Sequence, residues 1–390
     1  MKQIITEGCK VPIKMWLNDA EAFAIHQATN LANLPFAFKH VALMPDCHPG
    51  YGMPIGGVLA TQGVVIPNAV GVDIGCGMCA LKTSLTDIST EEIKLIMSGI
   101  RELIPLGAEH HKERQNENLM PSPEHLPING VVKRQFLAAQ KQIGTLGGGN
   151  HFIEIQKGSD HHIWIMIHSG SRNIGLKVAE HYNKIAVQLN ERWHSSVEKK
   201  QELAFLPIET QEAKDYFAEM QYCVDFAFAN RKLMMENIKS VFANVIGESC
   251  SEIDFINIAH NYARWESHYG TNVIVHRKGA TSAREGEIGI IPGSQGTQSY
   301  IVQGKGNPES FQSCSHGAGR SLGRKQAQRE LNLEAEINKL NEKGIVHSIR
   351  QIRDLDEAPG AYKDIHVVME NQNDLVDILV ELSPLAVIKG

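Results

Sequence analysis

Long apolar runs are missing from this chain. No stretch reaches the roughly 18 or more consecutive apolar residues that a membrane span requires, so no partner membrane is expected. The opening, MKQIITEGCKVPIKMW, has a lysine but no continuous apolar region behind it, so it does not read as a secretory signal, and a cytoplasmic protein is expected. Aromatics are scarce at 6%, which leaves the core to aliphatic side chains. A disulfide framework is also missing. Seven cysteines (Cys9, Cys47, Cys76, Cys79, Cys223, Cys250 and Cys314) are an odd number spread over 390 residues, unlike the dense cysteines of small secreted domains. At least one thiol is therefore free for metal or redox chemistry. An excess of positive charge is lacking as well: the net charge of -6 argues against a nucleic-acid coat but leaves room for a local basic groove.

What the chain does have is 42% hydrophobic residues, 34 glycines and 18 histidines. From Lys39 to about Leu81, short apolar runs (HVALMPD, GGVLATQGVVIP, AVGVDIGCG) alternate with Gly, Pro and Asp, the texture of strands joined by tight loops. The polar stretch of about 107–132 reads as a surface insertion. Helical spacing with almost no Gly or Pro predicts helices over Asn173 to Trp193 and Gln211 to Val245, a helical segment of about 173–245. Within it, Phe217, Met220, Val224 and Ala227 form a core-facing stripe. Glycine-rich strand-and-loop texture returns from Ile253 to Gly319, and Ser321 to Lys343 reads as one more helix. The expected fold class is α+β, with residues 1–390 forming a single mixed domain whose site is assembled from distant segments.

Five clusters place a His, Cys or Asp in a sharp glycine turn: MPDCHPGYGMPIGG (44–57), GVDIGCGM (71–78), GTLGGGNHFIEI (144–155), IHSGSRNIG (167–175) and SCSHGAGR (313–320). HNY (260–262) and PGSQGTQSY (292–300) join them. Such turns bring backbone amides and a side chain close to a ligand. Singly each has a bland reading: a structural histidine, a turn-capping Asp73, or a Cys76 acting as a small buried hydrophobe. Their number in one chain argues for a site.

Taken together these motifs, with the terminal IKG, resemble the RtcB family of RNA ligases over nearly the whole chain. The resemblance implies a deep cleft holding two Mn(II) ions. Asp73, Cys76 and His151 would bind one ion, and Cys76, His168 and His260 the other, with the thiolate bridging. Carboxylate and imidazole suit Mn(II), whereas thiolate is softer than Mn(II) prefers, so zinc is a competitor. His316 would be the catalytic nucleophile that carries GMP from GTP. Asn150, Glu154, Asn261, Pro292, Gly293, Ser294, Gln295, Ser299, Gly317, Ala318, Gly319, Tyr362 and Lys389 would contact the guanine nucleotide. A Glu154 carboxylate would accept from guanine N1–H and the exocyclic amine, a donor pair that adenine lacks. Arg172, Arg231 and Arg320 would grip RNA phosphates, since guanidinium binds phosphate bidentately. Asp46 and His48 form a second tier that orients a ligand or an RNA end. Cys79 is read as structural, and Cys47 is not assigned to metal.

The activity implied is GTP-dependent joining of RNA 3′-phosphate or 2′,3′-cyclic phosphate ends to 5′-hydroxyl ends, for RNA repair or tRNA splicing. The partners implied are those RNA ends and GTP, with room for an activating protein. Two rival readings use the same residues: a two-metal phosphodiesterase or phosphatase, and a non-catalytic RNA-end-binding protein. The first needs no covalent histidine, and the second binds ends regardless of His316.

Overall fold

Two sheets meet along a seam, and at one of the chain's passages between them a single histidine separates the two strands. In the computed structural model, which describes residues 1–247 and 250–390, one sheet has six strands. Their spatial order is Gln3–Ile5, Ile13–Met15, Ala37–His48, Ile55–Thr61, Thr271–Lys278 and Asn261–His268. The other has seven, in the order Glu252–Ala259, Gly77–Thr83, Ile163–Ser169, Phe152–Gly158, Val376–Lys389, Ser299–Gly304 and Ile288–Ile291. Glu252–Ala259 ends the second sheet and Asn261–His268 ends the first, so His260 sits at the crossing. The architecture is mixed α+β, as expected.

Inside the second sheet, registry decides which side chains reach the seam. His168 lies opposite Met78 on one neighbouring strand and Phe152 on the other. Gly77 lies opposite both Ala259 and Ser169, which sets the turn before Gly77 against the strand that leads into His260. Alternate residues of two neighbouring strands (Ile153 and Ile155, and Ile163, Ile165 and Ile167) share one face of this sheet and pack against a long helix.

That helix, Gln211–Ile246, is the sequence-expected one. Thr210 caps it by accepting from the Ala213 N–H, and Gly247 at positive φ follows its end. Its partner, Arg172–Arg192, also falls within a residue of expectation. The Tyr182 hydroxyl ties the two together by donating to the buried Glu219 at 2.7 Å. Met220, Val224 and Ala227 are buried, and Phe217 packs at the edge of the core.

Two local expectations need correction. Ser321 to Lys343 is not one helix but two, Arg324–Glu330 and Leu333–Glu342. The Asn332 side chain accepts from the Ala335 N–H at 2.9 Å, which starts a new helix where the charge pattern alone suggested continuity. The run AVGVDIGCG is not a strand. After a short turn at Pro67–Ala69 it becomes a loop, with Gly71 and Gly75 at positive φ. An added Cβ at Gly75 would lie 2.8 Å from Val224 Cα, so only glycine lets this loop rest on the long helix. Among the described residues, no helix is long and apolar enough to cross a membrane.

Candidate active site

The loop at 71–76 brings Asp73 and Cys76 to the seam, where His151, His168 and His260 converge from three other segments. Two donor sets lie with their ligand atoms within 4.8 Å of one another: Asp73, Cys76 and His151, and Cys76, His168 and His260. These are the five sequence-expected ligands, with Cys76 common to both sets. Cys76 Sγ is 3.4 Å from His151 Nε2 and 3.3 Å from His168 Nε2.

Hydrogen bonding on the far side of each ring tests whether a cation fits. His151 Nδ1 lies 3.0 Å from the Leu146 carbonyl, and His168 Nδ1 lies 3.2 Å from the Asn150 carbonyl. A carbonyl only accepts, so each Nδ1 carries the proton and each Nε2 presents a lone pair to the interior. His151 Nε2 then faces Asp73 Oδ2 at 3.2 Å, lone pair against carboxylate. His260 Nδ1 is buried with no hydrogen-bond partner. Converging lone pairs without enough protons between them are what a metal cation resolves.

The electrostatics agree. Burial, then the charges of His260 and His151, holds His168 well below the usual imidazole range. Burial and His316 do the same to His260, so both stay neutral and able to ligate. Burial and the Asp73 carboxylate push the Cys76 thiol well up. Its conversion to thiolate therefore depends on a cation against the sulfur.

Beside this cluster stands His316, its ring centroid 4.8 Å from that of His260. His316 Nδ1 lies 2.6 Å from Asp46 Oδ2, which also accepts from the His316 backbone N–H at 3.1 Å. Asp46 is fully buried and so fixes the ring, with Nδ1 protonated and Nε2 as the free nitrogen. Gly319, at φ +75°, lets the loop after His316 lie directly on the Asp46 carbonyl, where any Cβ would collide. Sequence reading placed Asp46 in the second tier, and the fold makes it the partner of the proposed nucleophile. His48 Nδ1 donates to the Asp46 carbonyl, and burial lowers its pKa to about 4.

These groups open onto a cavity of about 690 Å³. Asn150, Glu154, Asn261, Pro292, Gly293, Ser294, Gln295, Gly317, Ala318, Gly319, Arg320, Tyr362 and Lys389 all line it. Ser299 does not; it sits behind the wall, accepting from the Gly293 N–H at 3.1 Å. Asn261 also ties the loop in place, donating to the Asp73 carbonyl and accepting from the Gly279 N–H. Glu154 is buried, and desolvation raises its carboxyl to about 8 against the opposing charge of Lys389.

The arginines divide. Arg320 lines the cavity but is paired to Glu357 at 3.0 Å. Arg172 lies behind it, donating to Thr145 Oγ1 and the Gly107 carbonyl. Arg231 corrects the expectation of an RNA contact. It is fully buried, donates to the Gly75 and Ser169 carbonyls and to Asn257, and so braces the metal loop from beneath.

Residues without a motif were missed. Glu357 gathers Arg320, Arg324, Lys389 and the Tyr362 hydroxyl around one carboxylate. Gln156 donates to Glu154 at 2.6 Å and to Ser299 Oγ. Lys278 reaches the cavity and donates to the Tyr51 and Asn68 carbonyls. Glu357 lies outside every motif of the sequence, so no local signal marked it.

Comparison with known proteins points the same way. A family model described as tRNA-splicing ligase RtcB matches residues 27–126 and 124–390. The RNA-splicing ligase RtcB of Escherichia coli K12 is 38% identical over 404 residues, spanning 97% of both chains. The tRNA-splicing ligase RtcB of Thermococcus kodakarensis is 31% identical, covering 94% of this chain and 91% of its own. That of Nanoarchaeum equitans is 31% identical across 100% of this chain and 97% of its own. With residues 27–390 matched by the family model and the motif residues gathered at one seam, the chain belongs to the RtcB family.

Proposed function

We propose that this protein is a GTP-dependent RNA ligase that joins 3′-phosphate or 2′,3′-cyclic phosphate ends to 5′-hydroxyl ends through a GMP adduct on His316. Residues 1–390 would act as one catalytic unit, working in the cytoplasm on broken or spliced RNA. The observation that carries the reading is the 2.6 Å contact between His316 Nδ1 and Asp46, which leaves Nε2 as the reactive nitrogen next to a two-set metal-ligand cluster.

In the first step His316 Nε2 attacks the α-phosphorus of GTP. A P–N bond forms, the α–β anhydride breaks, and pyrophosphate leaves. Asp46 balances the positive charge that develops on the ring. An oxygen of the RNA 3′-phosphate then attacks the adduct phosphorus, the P–N bond breaks, and the imidazole is regenerated. Finally the RNA 5′-hydroxyl attacks the activated 3′-phosphate, GMP departs, and the phosphate becomes the joining diester. A cyclic phosphate is first opened by water. Two Mn(II) ions, held by Asp73, Cys76 and His151 and by Cys76, His168 and His260, would offset charge on the phosphoryl oxygens and acidify the attacking hydroxyl. Glu154, as a carboxylate, would read the guanine edge, and Lys389, Arg320 and Arg324 would meet phosphate.

The test is incubation with GTP labelled at the α-phosphate, followed by joining of a 3′-phosphate strand to a 5′-hydroxyl strand with Mn(II). Label retained on the parent protein but lost in His316→Ala, together with loss of joining, is expected. Absence of label on the parent, with opening of cyclic phosphate or release of phosphate at RNA ends intact, would instead favour a two-metal phosphodiesterase or phosphatase.

A further inference from the structure

The nucleotide reading leaves part of the cavity lining without a role. Tyr51 belongs to that part. The residue is 72% exposed, it lines the same cavity as His316, and among the described residues no hydrogen-bond partner is found for its hydroxyl. A single exposed aromatic is ordinary on a protein surface. What is not ordinary is how firmly its backbone is held.

Three segments of the chain grip this turn. Gln27, buried on the helix Ala22–Ala32, donates to the Gly50 carbonyl at 2.6 Å and accepts from the Gly50 N–H at 3.1 Å. Lys278, at the end of the strand Thr271–Lys278, donates to the Tyr51 carbonyl at 2.6 Å. Glu202 accepts from the Gly52 N–H at 3.1 Å. The residue after Lys278, Gly279, packs so closely on His316 that an added Cβ would lie 3.0 Å from Cε1. One lysine and one glycine therefore connect the Tyr51 backbone to the proposed nucleophile. Val72, also exposed and adjacent to Asp73, adds apolar surface to the same cavity.

We propose that Tyr51 is a stacking platform for the nucleobase of a single-stranded RNA end delivered to His316, a positioning surface for RNA rather than for GTP. The inference rests on the ligase reading above. A ring on an immobilised backbone offers contact area with little conformational entropy left to lose. Stacking on a phenol also tolerates every base, which suits a site that identifies its ends by phosphate and not by sequence.

The test places 2-aminopurine, whose fluorescence is quenched by stacking, at the last nucleotide of a 3′-phosphate strand or at the first of a 5′-hydroxyl strand. Quenching in one arm by the parent and by Tyr51→Phe is expected, and that arm identifies the end held there. Tyr51→Leu should relieve the quenching and raise the KM for that strand about tenfold, while α-labelled GTP still marks the protein at the parental rate. No quenching in either arm would overturn the proposal. So would a Leu variant with parental KM, or one in which adduct formation falls together with joining. A parent that takes no label at all refutes the ligase reading itself, a result distinct from any of these.

Discussion

The two ends of the cavity handle charge in opposite ways. At the seam, one carboxylate, one thiol and three imidazoles converge with their lone pairs inward, and burial keeps His168 and His260 neutral. At the other end Glu357 is surrounded by Arg320, Arg324 and Lys389, so three cations share one carboxylate and positive charge is left over. The difference teaches what each end is suited to receive. The seam is electron-rich and short of protons, a setting for a cation. The Glu357 end holds its cations in readiness, and an arriving phosphate must share them with a carboxylate.

Removing the shared sulfur should break this contrast most completely. Cys76→Ala takes one donor from both metal sets at once. Joining is expected to fall by about a thousandfold or more, with loss of tight Mn(II) binding in a titration followed by electron paramagnetic resonance. Unchanged metal stoichiometry would contradict the shared-ligand geometry. Asp46→Asn comes next. It keeps the volume but removes the carboxylate that sets the His316 tautomer and balances its charge, so the rate of protein–GMP formation should drop roughly a hundred- to ten-thousandfold, by analogy with the same change in a Ser-His-Asp triad. A smaller loss would mean that ring orientation does not depend on that carboxylate.

Glu357→Gln probes the other end. Three cations lose their common partner, two of them largely buried, and breaking such a pair costs roughly 3 kcal/mol. A shift of the urea midpoint measures this. The shift should shrink at saturating GTP, because phosphate takes over the partnership.

The mildest effect concerns pH and Glu154. Burial lifts its carboxyl from 4.5 to about 8 in the folded protein. Between these values the folded state holds a proton that the unfolded chain has released, so stability should decline as pH rises from about 4.5 to about 8 and level off above. Glu154→Gln should flatten that slope in thermal unfolding of the nucleotide-free protein. GTP binding through the ionised carboxylate should strengthen over the same rise in pH. A slope unaltered by the substitution would assign it to other groups.

Much of the site was readable before the fold was known. Cys76, His151, His168 and His316 each lie beside glycines in a short motif, because close backbone turns and a reactive side chain must share the same few residues, whereas His260 was marked only by the short run HNY. The two long helices were readable from periodicity. Asp46 was visible but under-ranked, since its role depends on a partner 270 residues away. Arg231 was misjudged for the converse reason. As an arginine on a helix it resembled a phosphate ligand, and only packing shows it sealed beneath Gly75. Glu357, Gln156 and Lys278 carry no local signature, because their importance comes from what surrounds them.

The sequence by itself determined the chemistry available to this protein: which donors exist, which turns can expose them, and which segments must be helix. Tertiary structure alone decided which donors meet. Registry in one sheet and the crossing at His260 bring together atoms from four separate segments. Burial then sets their protonation, a property of the surrounding medium that no stretch of chain encodes on its own.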